Sequence, residues 1–222
     1  TVEAQCRSIC EKTGYDEISL CSLSTSDYRG LEKLITDMLP WTVENKINIS
    51  LPSLRADNFP KELMEQLNAV RRSGLTFAPE AGTQRLRDVI NKNITEEEVL
   101  STARQAFAGG WTAVKLYFMI GLPTETEEDI RGIADLAQAV VDEFYHNENK
   151  PKGKGVNVSV SVASLVPKPF TPFQWEPQDR PDTLIEKQNF LISCVKTRKV
   201  SVSRHVPWTS FLEGVLARGD RR

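Results

Sequence analysis

Apolar positions along the chain switch repeatedly between the spacing of one helix face and the alternation of a strand. Val2, Cys6, Ile9 and Cys10 fall at i, i+4, i+7 and i+8, which predicts a helix over about 1–13 that ends at Gly14. Glu17 to Ser22 reads as a strand, followed by the polar loop Leu23 to Asp27. Leu31, Leu34, Ile35 and Met38 predict a second helix, stopped by Pro40. Ile47, Ile49 and Leu51 alternate as a strand, and Leu63, Met64, Leu67 and Val70 mark a helix closing at Ser73-Gly74. A short strand from Leu75 to Ala78 leads into the turn Pro79-Glu80-Ala81-Gly82 and a helix through Leu86 and Ile90. Thr95 and Glu98 have the spacing of a capping box, and the helix they open ends at Gly109-Gly110. Ala113 to Ile120 is a long apolar strand broken by Gly121-Leu122-Pro123, with a helix through Ile130, Ile133, Ala137, Val140, Val141 and Phe144 after it. Val156, Val158, Val160 and Val162 alternate with Asn157, Ser159 and Ser161, giving one apolar and one small polar face. A proline-rich stretch, Val166 to Pro181, precedes a helix over about 183–196, a strand over 199–203 and a helix over about 210–217.

Strands separated by helices predict an α/β fold with parallel strands. Two architectures satisfy the pattern, an open doubly wound sheet and a curved part of a (βα) barrel. The polar face of the Val156 strand suits a barrel interior that meets a ligand. At 222 residues the chain accommodates one domain with a sizeable core. A net charge of −2 gives no footprint for nucleic acid or an anionic membrane, and no apolar run reaches the length of a membrane span. The chain opens at Thr1 without a leader pattern, so neither a signal peptide nor a complete protein is expected. Cys6 and Cys10 lack a third cysteine at C-x3-C-x2-C spacing, because Thr13 stands there, and they read as packing residues on a helix. Cys21 and Cys194 are far apart in sequence, no disulfide framework is evident, and a reducing, cytoplasmic setting is expected.

In either architecture ligands bind beyond the carboxyl ends of the strands. Those positions carry Ser22, Ser24, Thr25, Ser26 and Asp27; Ser53, Arg55 and Asp57; Glu80 and Gly82; Gly121 to Thr126; and Lys168 to Pro172. Hydroxyls, an acid and two cations around one rim suit a zwitterionic polar ligand, although each residue taken singly also suits a cap or turn. The acidic run Glu125 to Asp129 reads as the cap of a helix. The two histidines, His146 and His205, supply no metal-hydrolase set, and Gly109-Gly110 precedes a strand instead of cradling a phosphate.

The ordered phrases Leu54-Arg55-Ala56-Asp57, Phe77-Ala78-Pro79-Glu80-Ala81-Gly82 with Ile90-Asn91-Lys92-Asn93-Ile94-Thr95, and Tyr117-Phe118-Met119-Ile120-Gly121-Leu122-Pro123-Thr124-Glu125-Thr126-Glu127-Glu128-Asp129 resemble the radical-SAM superfamily. Within it the likeness is to the group holding methylthiotransferases and cobalamin-dependent members. The phrases Ser24 to Tyr28, Pro167 to Trp175 and Leu216 to Arg222 resemble proteins that often carry a cobalamin-binding-like domain and a further C-terminal domain. The resemblance implies a partial, open (βα) barrel truncated at its N-terminal strand, with residues 1–165 as the portion that binds S-adenosylmethionine (SAM) and 166–222 as an extension. It implies that Ser22 and Ser24 hold the methionine amine of SAM and that Glu80 meets its ribose or amino group. Lys92 would pair with the SAM carboxylate, Ile120 and Gly121 would line the adenine, and Leu165 and Val166 would form the wall beside it. Arg55 is assigned either to a substrate or to Asp57.

The same resemblance implies a [4Fe–4S] cluster on three thiolates of a C-x3-C-x2-C loop, whose fourth iron chelates SAM and donates the cleaving electron. That loop lies upstream of the first helix in the family, so the chain alone is expected to be inactive. The whole protein would cleave SAM reductively to a 5′-deoxyadenosyl radical acting on a further substrate, by methylation or methylthiolation, with cobalamin as a candidate partner through a flanking domain. The alternatives are a non-catalytic barrel scaffold or interaction module, and an unrelated (βα) barrel metabolic enzyme.

Overall fold

The computed structural model describes residues 1–21, 28–50, 75–151 and 153–219. In chain order these form α1 (Val2–Thr13), β1 (Glu17–Ser19), α2 (Leu31–Glu44), β2 (Asn48–Ser50), β3 (Leu75–Glu80), α3 (Gln84–Val89), α4 (Glu96–Ala108), β4 (Ala113–Ile120), α5 (Glu127–His146), β5 (Asn157–Ser164), α6 (Pro181–Cys194), β6 (Val200–Arg204) and α7 (Pro207–Arg218). The helix expected around Leu63 to Val70, and the residues Ser22, Ser24 and Arg55, lie outside the described residues. Two parallel sheets result, β1–β2 and β3–β4–β5–β6. The described residues therefore have the α/β, parallel-strand character of a partial (βα) barrel.

The alternation read in β5 sorts its residues to two environments. Val158, Val160 and Val162 join Leu75, Phe77, Val114, Leu116 and Phe118 in one large core. Over that face lie Val99, Ala103 and Phe107 of α4, Ile130 to Phe144 of α5, and Leu184 and Leu191 of α6. Each buried valine, leucine, isoleucine or phenylalanine among them contributes about 1.5–3 kcal/mol by leaving water. The other face carries Thr76, Lys115, Tyr117, Ser159, Ser161, Ser201 and Ser203, where the Ser201 hydroxyl donates to Ser159 Oγ at 3.2 Å and the Lys115 ammonium lies 4.7 Å from the Tyr117 ring centre. A smaller core joins Cys6 and Cys10 of α1 to Ile18, Ile35, Met38, Trp41 and Ile49.

Three elements depart from the sequence pattern. α2 runs through Pro40 to Glu44. Met38, Trp41 and Thr42 are buried on both sides of the proline, and the Thr42 hydroxyl donates to the Met38 carbonyl at 3.1 Å. That burial outweighs the roughly 3 kcal/mol a proline costs inside a helix. β3 likewise runs through Pro79 to Glu80, and the missing proline N–H coincides with a register shift between Phe77 and Glu80. On α1 only Cys6 and Cys10 of the expected stripe are buried, while Val2 and Ile9 are exposed, because one narrow seam faces α2 and β1.

The turn after β3 is seated directly on α5. A Cβ on Gly82 would lie 2.3 Å from the Asp129 carbonyl oxygen and 2.4 Å from the Ile133 nitrogen, and Gly132 closes the contact from the other side. Backbone cannot retreat as a flexible side chain can. Gly82→Ala should therefore lower stability by about 1–3 kcal/mol, read as a fall in Tm; an unchanged Tm would show that the two backbones separate freely.

Candidate functional site

Parallel pairing brings the carboxyl ends of β3, β4 and β5 to one edge, where each chain must turn away. β3 ends at Glu80, a non-glycine residue at φ 68°, and β4 is followed by Gly121 at φ 78°. A left-handed residue other than glycine costs about 1–3 kcal/mol and persists only where its surroundings hold it. At Glu80 the surroundings include Lys92, whose Nζ donates to Glu80 Oε1 at 3.4 Å, both side chains remaining partly exposed. Next to this pair is an apolar cluster from all three strand ends: Ala81 after β3, Leu122 after β4 and Leu165 after β5, with Leu86 of α3 and the flanking Ile90 and Met119. The Leu165 N–H donates to the Ile120 carbonyl at 2.8 Å and ties two of these ends together.

The structure thus brings Glu80, Lys92, Gly121 and Leu165 to one rim, with Val166 half-buried after Leu165. Ile120 lies there by its backbone alone; its side chain is 0% exposed and belongs to the large core under the helices. Met119, one residue earlier, carries the side chain that reaches the rim cluster. Strand alternation is the signal that identifies it, since Val114, Leu116, Phe118 and Ile120 share the helix-covered face.

Two polar networks hold the rim from behind. Asp129 closes a capping box with Thr126 at the start of α5, accepting the Thr126 N–H at 2.8 Å. Its carboxylate also accepts from the Thr83 hydroxyl and the Arg85 guanidinium. Arg87, fully buried, donates to the carbonyls of Ala81 at 3.0 Å and Gly82 at 3.4 Å, and burial pulls its pKa down with Glu96 and Asp88 partly offsetting this. The second network starts at Glu125, whose Oε2 accepts the Gly121 N–H at 2.9 Å and the Lys187 ammonium at 2.8 Å. The expected acidic cap is therefore divided: Thr126 and Asp129 cap α5, whereas Glu125 braces the preceding turn.

A separate cavity of about 250 Å³ is lined by Arg7, Tyr15, Asp16, Trp41 and Asn45 among others. It adjoins the entries to β1 and β2, not their exits, and so lies away from the edge where ligands of such sheets bind.

Residues 2–137, more than half of the chain, match the Radical SAM superfamily. The chain belongs to the radical SAM superfamily. It is 33% identical over 205 residues to an uncharacterized protein of Methanocaldococcus jannaschii, a match covering 92% of this chain and 42% of that protein. The chain thus spans less than half the length of this relative. Among solved structures it resembles the archaeal Elp3 of Methanocaldococcus infernus with an N-terminal deletion, at 15% identity and a TM-score of 0.56 over 90% of this chain and 50% of that one. At that identity the likeness speaks for the fold alone. Membership in the superfamily implies SAM and a [4Fe–4S] cluster in general.

The rim fits the first of these: an apolar surface beside an acid and a cation matches an adenosyl group joined to a zwitterion. The described residues do not fit the second. Burial pushes the Cys6 and Cys10 thiols up, away from the thiolate form that irons require. Cys21 is exposed after β1, Cys194 is on α6, and no group of three metal-ligating side chains is present among the described residues. Nor is any helix among them long and apolar enough to cross a membrane.

Asp129 makes the rim sensitive to acid. Burial works against its charge, but the donors Thr83, Thr126 and Arg85 outweigh it and hold its pKa below the ordinary value. A carboxylate depressed in the folded state contributes stability that is complete above its unfolded pKa, near 4, and is lost as pH falls through the folded value. Asp129→Asn should lower Tm at neutral pH and make the loss of Tm between about pH 5 and pH 2 shallower than in the parent. Identical slopes would remove Asp129 from this role.

Proposed function

We propose that this chain forms the SAM-binding wall of a radical SAM enzyme. The supporting observation is the apolar cluster built from the ends of three adjacent strands, set beside the Glu80–Lys92 pair. Adenine would lie against Met119, Leu122 and Leu165, edged by the Ile120–Gly121 backbone and by Val166. Glu80 would accept from a ribose hydroxyl or the SAM amino group. Lys92 would meet the SAM carboxylate as a point charge; an arginine there would add a two-pronged grip. Ser22 and Ser24 complete the reading as acceptors for the amine, and Arg55 as a contact for the substrate.

For the whole polypeptide the proposed reaction is reductive cleavage of SAM to a 5′-deoxyadenosyl radical that acts on a further substrate, by methylation or methylthiolation. Substrate contacts beyond Arg55 and any cobalamin partner are assigned to other parts of that polypeptide. The 222 residues contain no C-x3-C-x2-C. Supplied with iron, sulfide, dithionite and SAM, the chain by itself should form no 5′-deoxyadenosine. Catalytic formation of that product, measured by liquid chromatography, would refute this.

Binding tests the wall directly. In equilibrium dialysis with radiolabelled SAM, the parent chain should bind with a Kd of about 1 mM or tighter. Lys92→Met and Glu80→Gln should each weaken it about tenfold, the equivalent of one lost charge-assisted contact of about 1.4 kcal/mol. Retention of SAM that neither substitution changes would place the ligand elsewhere.

A further inference from the structure

Gly121 turns the chain at the rim with φ 78°, and its hydrogen bond runs into a chain of charged side chains that leaves the strand ends altogether. Glu125, 2% exposed, accepts the Gly121 N–H through the same Oε2 that accepts from Lys187. Lys187 stands on α6, sixty-two positions further along the sequence, and its ammonium also donates to Asp179 Oδ2 at 2.7 Å. Asp179 in turn backs the turn itself: a Cβ on Gly121 would lie 3.2 Å from Asp179 Oδ2 and 3.3 Å from Leu184 Cδ2. The turn is thus gripped from two sides, by hydrogen bonding through Glu125 and by contact with Asp179 and Leu184. Leu122, the next residue, is part of the rim cluster, so whatever fixes Gly121 fixes that part of the apolar surface as well.

We propose that Lys187 and Asp179 are positioning residues of the SAM rim, holding the Gly121–Leu122 turn through Glu125 so that its backbone and Leu122 meet the adenosyl group. The inference rests on the reading of the rim as a SAM site. It also reassigns part of the segment after residue 165: the proline-rich stretch and α6 do not merely follow the binding portion but brace it. Both residues lie beyond the 2–137 stretch that matches the superfamily.

The energetics favour a strong effect. Burial pushes the Glu125 carboxyl up, with the donors Lys187 and Gly121 only partly offsetting it. For Lys187 burial works the other way, but Asp179 and Glu125 outweigh it and raise its pKa. A carboxyl so enclosed has little water to fall back on. Removing Lys187 leaves it with the Gly121 N–H as its one donor among the described residues, and a protonated Glu125 accepts that N–H more weakly.

The test uses the full 222-residue chain with Lys187→Met, Lys187→Arg and Asp179→Asn. Two readouts are taken: amide hydrogen exchange at Gly121 without SAM, and the Kd for radiolabelled SAM. Lys187→Met should speed exchange at Gly121 by about tenfold or more and weaken SAM binding about tenfold, as loss of a hydrogen bond to a charged group does. Lys187→Arg should return both to within about threefold of the parent, since the cation is kept. If Lys187→Met does not fold, Asp179→Asn, at a partly exposed carboxylate, should show the same two changes at smaller size. Unchanged exchange and SAM affinity in a folded variant overturn the proposal, as does a loss of affinity that Lys187→Arg fails to restore. A parent chain that does not retain SAM overturns the reading of the rim and this proposal together, whereas retention that Lys187→Met leaves intact overturns this proposal alone.

Discussion

Two glycines allow two backbones to meet where side chains would hold them apart. Gly82, just after β3, lies against Gly132 and the Asp129 carbonyl in the first turns of α5. With that contact made, Thr83 and Arg85 reach the Asp129 carboxylate, and Arg87 folds under the turn to the carbonyls of Ala81 and Gly82. The left-handed backbone of Glu80 is then fixed from behind, and its carboxylate is presented to Lys92 at the strand ends. Spread the two glycines and the same side chains would no longer converge. The close approach therefore links packing in the helix layer to geometry at the rim.

The rim and the core divide the four-stranded sheet by simple parity. One face is covered by α4, α5 and α6 and carries valine, leucine, isoleucine and phenylalanine. The opposite face carries hydroxyls, Lys115 and Tyr117, side chains that would leave a dry barrel interior poorly packed and that suit a solvated one. The proposed binding surface is the apolar cluster of the strand ends, between the two regimes. An adenosyl group, flat and apolar over one part and hydroxylated over the rest, has the chemistry to span that border.

Much of the fold was legible because it rests on local periodicity. The valine–serine alternation of β5, the capping box of Thr95 and Glu98, and the acidic start of α5 all require only neighbours in sequence. What escaped depends on tertiary contact. Pro40 reads as a helix stop until Trp41 and Thr42 are seen to be buried beyond it. Pro79 reads as a turn until β4 pairs alongside it. Ile120 and Met119 are interchangeable in a motif but not on a strand, where one enters the core and the other the rim. In the sequence Glu125 is one acid among several at a helix start, because Lys187, its partner, is sixty-two residues away. Such long-range ion pairs have no periodicity to betray them.

In the proposed reading SAM lies across the exits of β3, β4 and β5. Hydrogen–deuterium exchange of the whole chain with and without saturating SAM measures this most directly. Added protection is expected only in the segments 22–24, 77–82, 90–95, 119–125 and 163–167, with α7 and the cavity near Trp41 unaffected. Protection centred on that cavity, or none at the strand exits under conditions where SAM is bound, would contradict it.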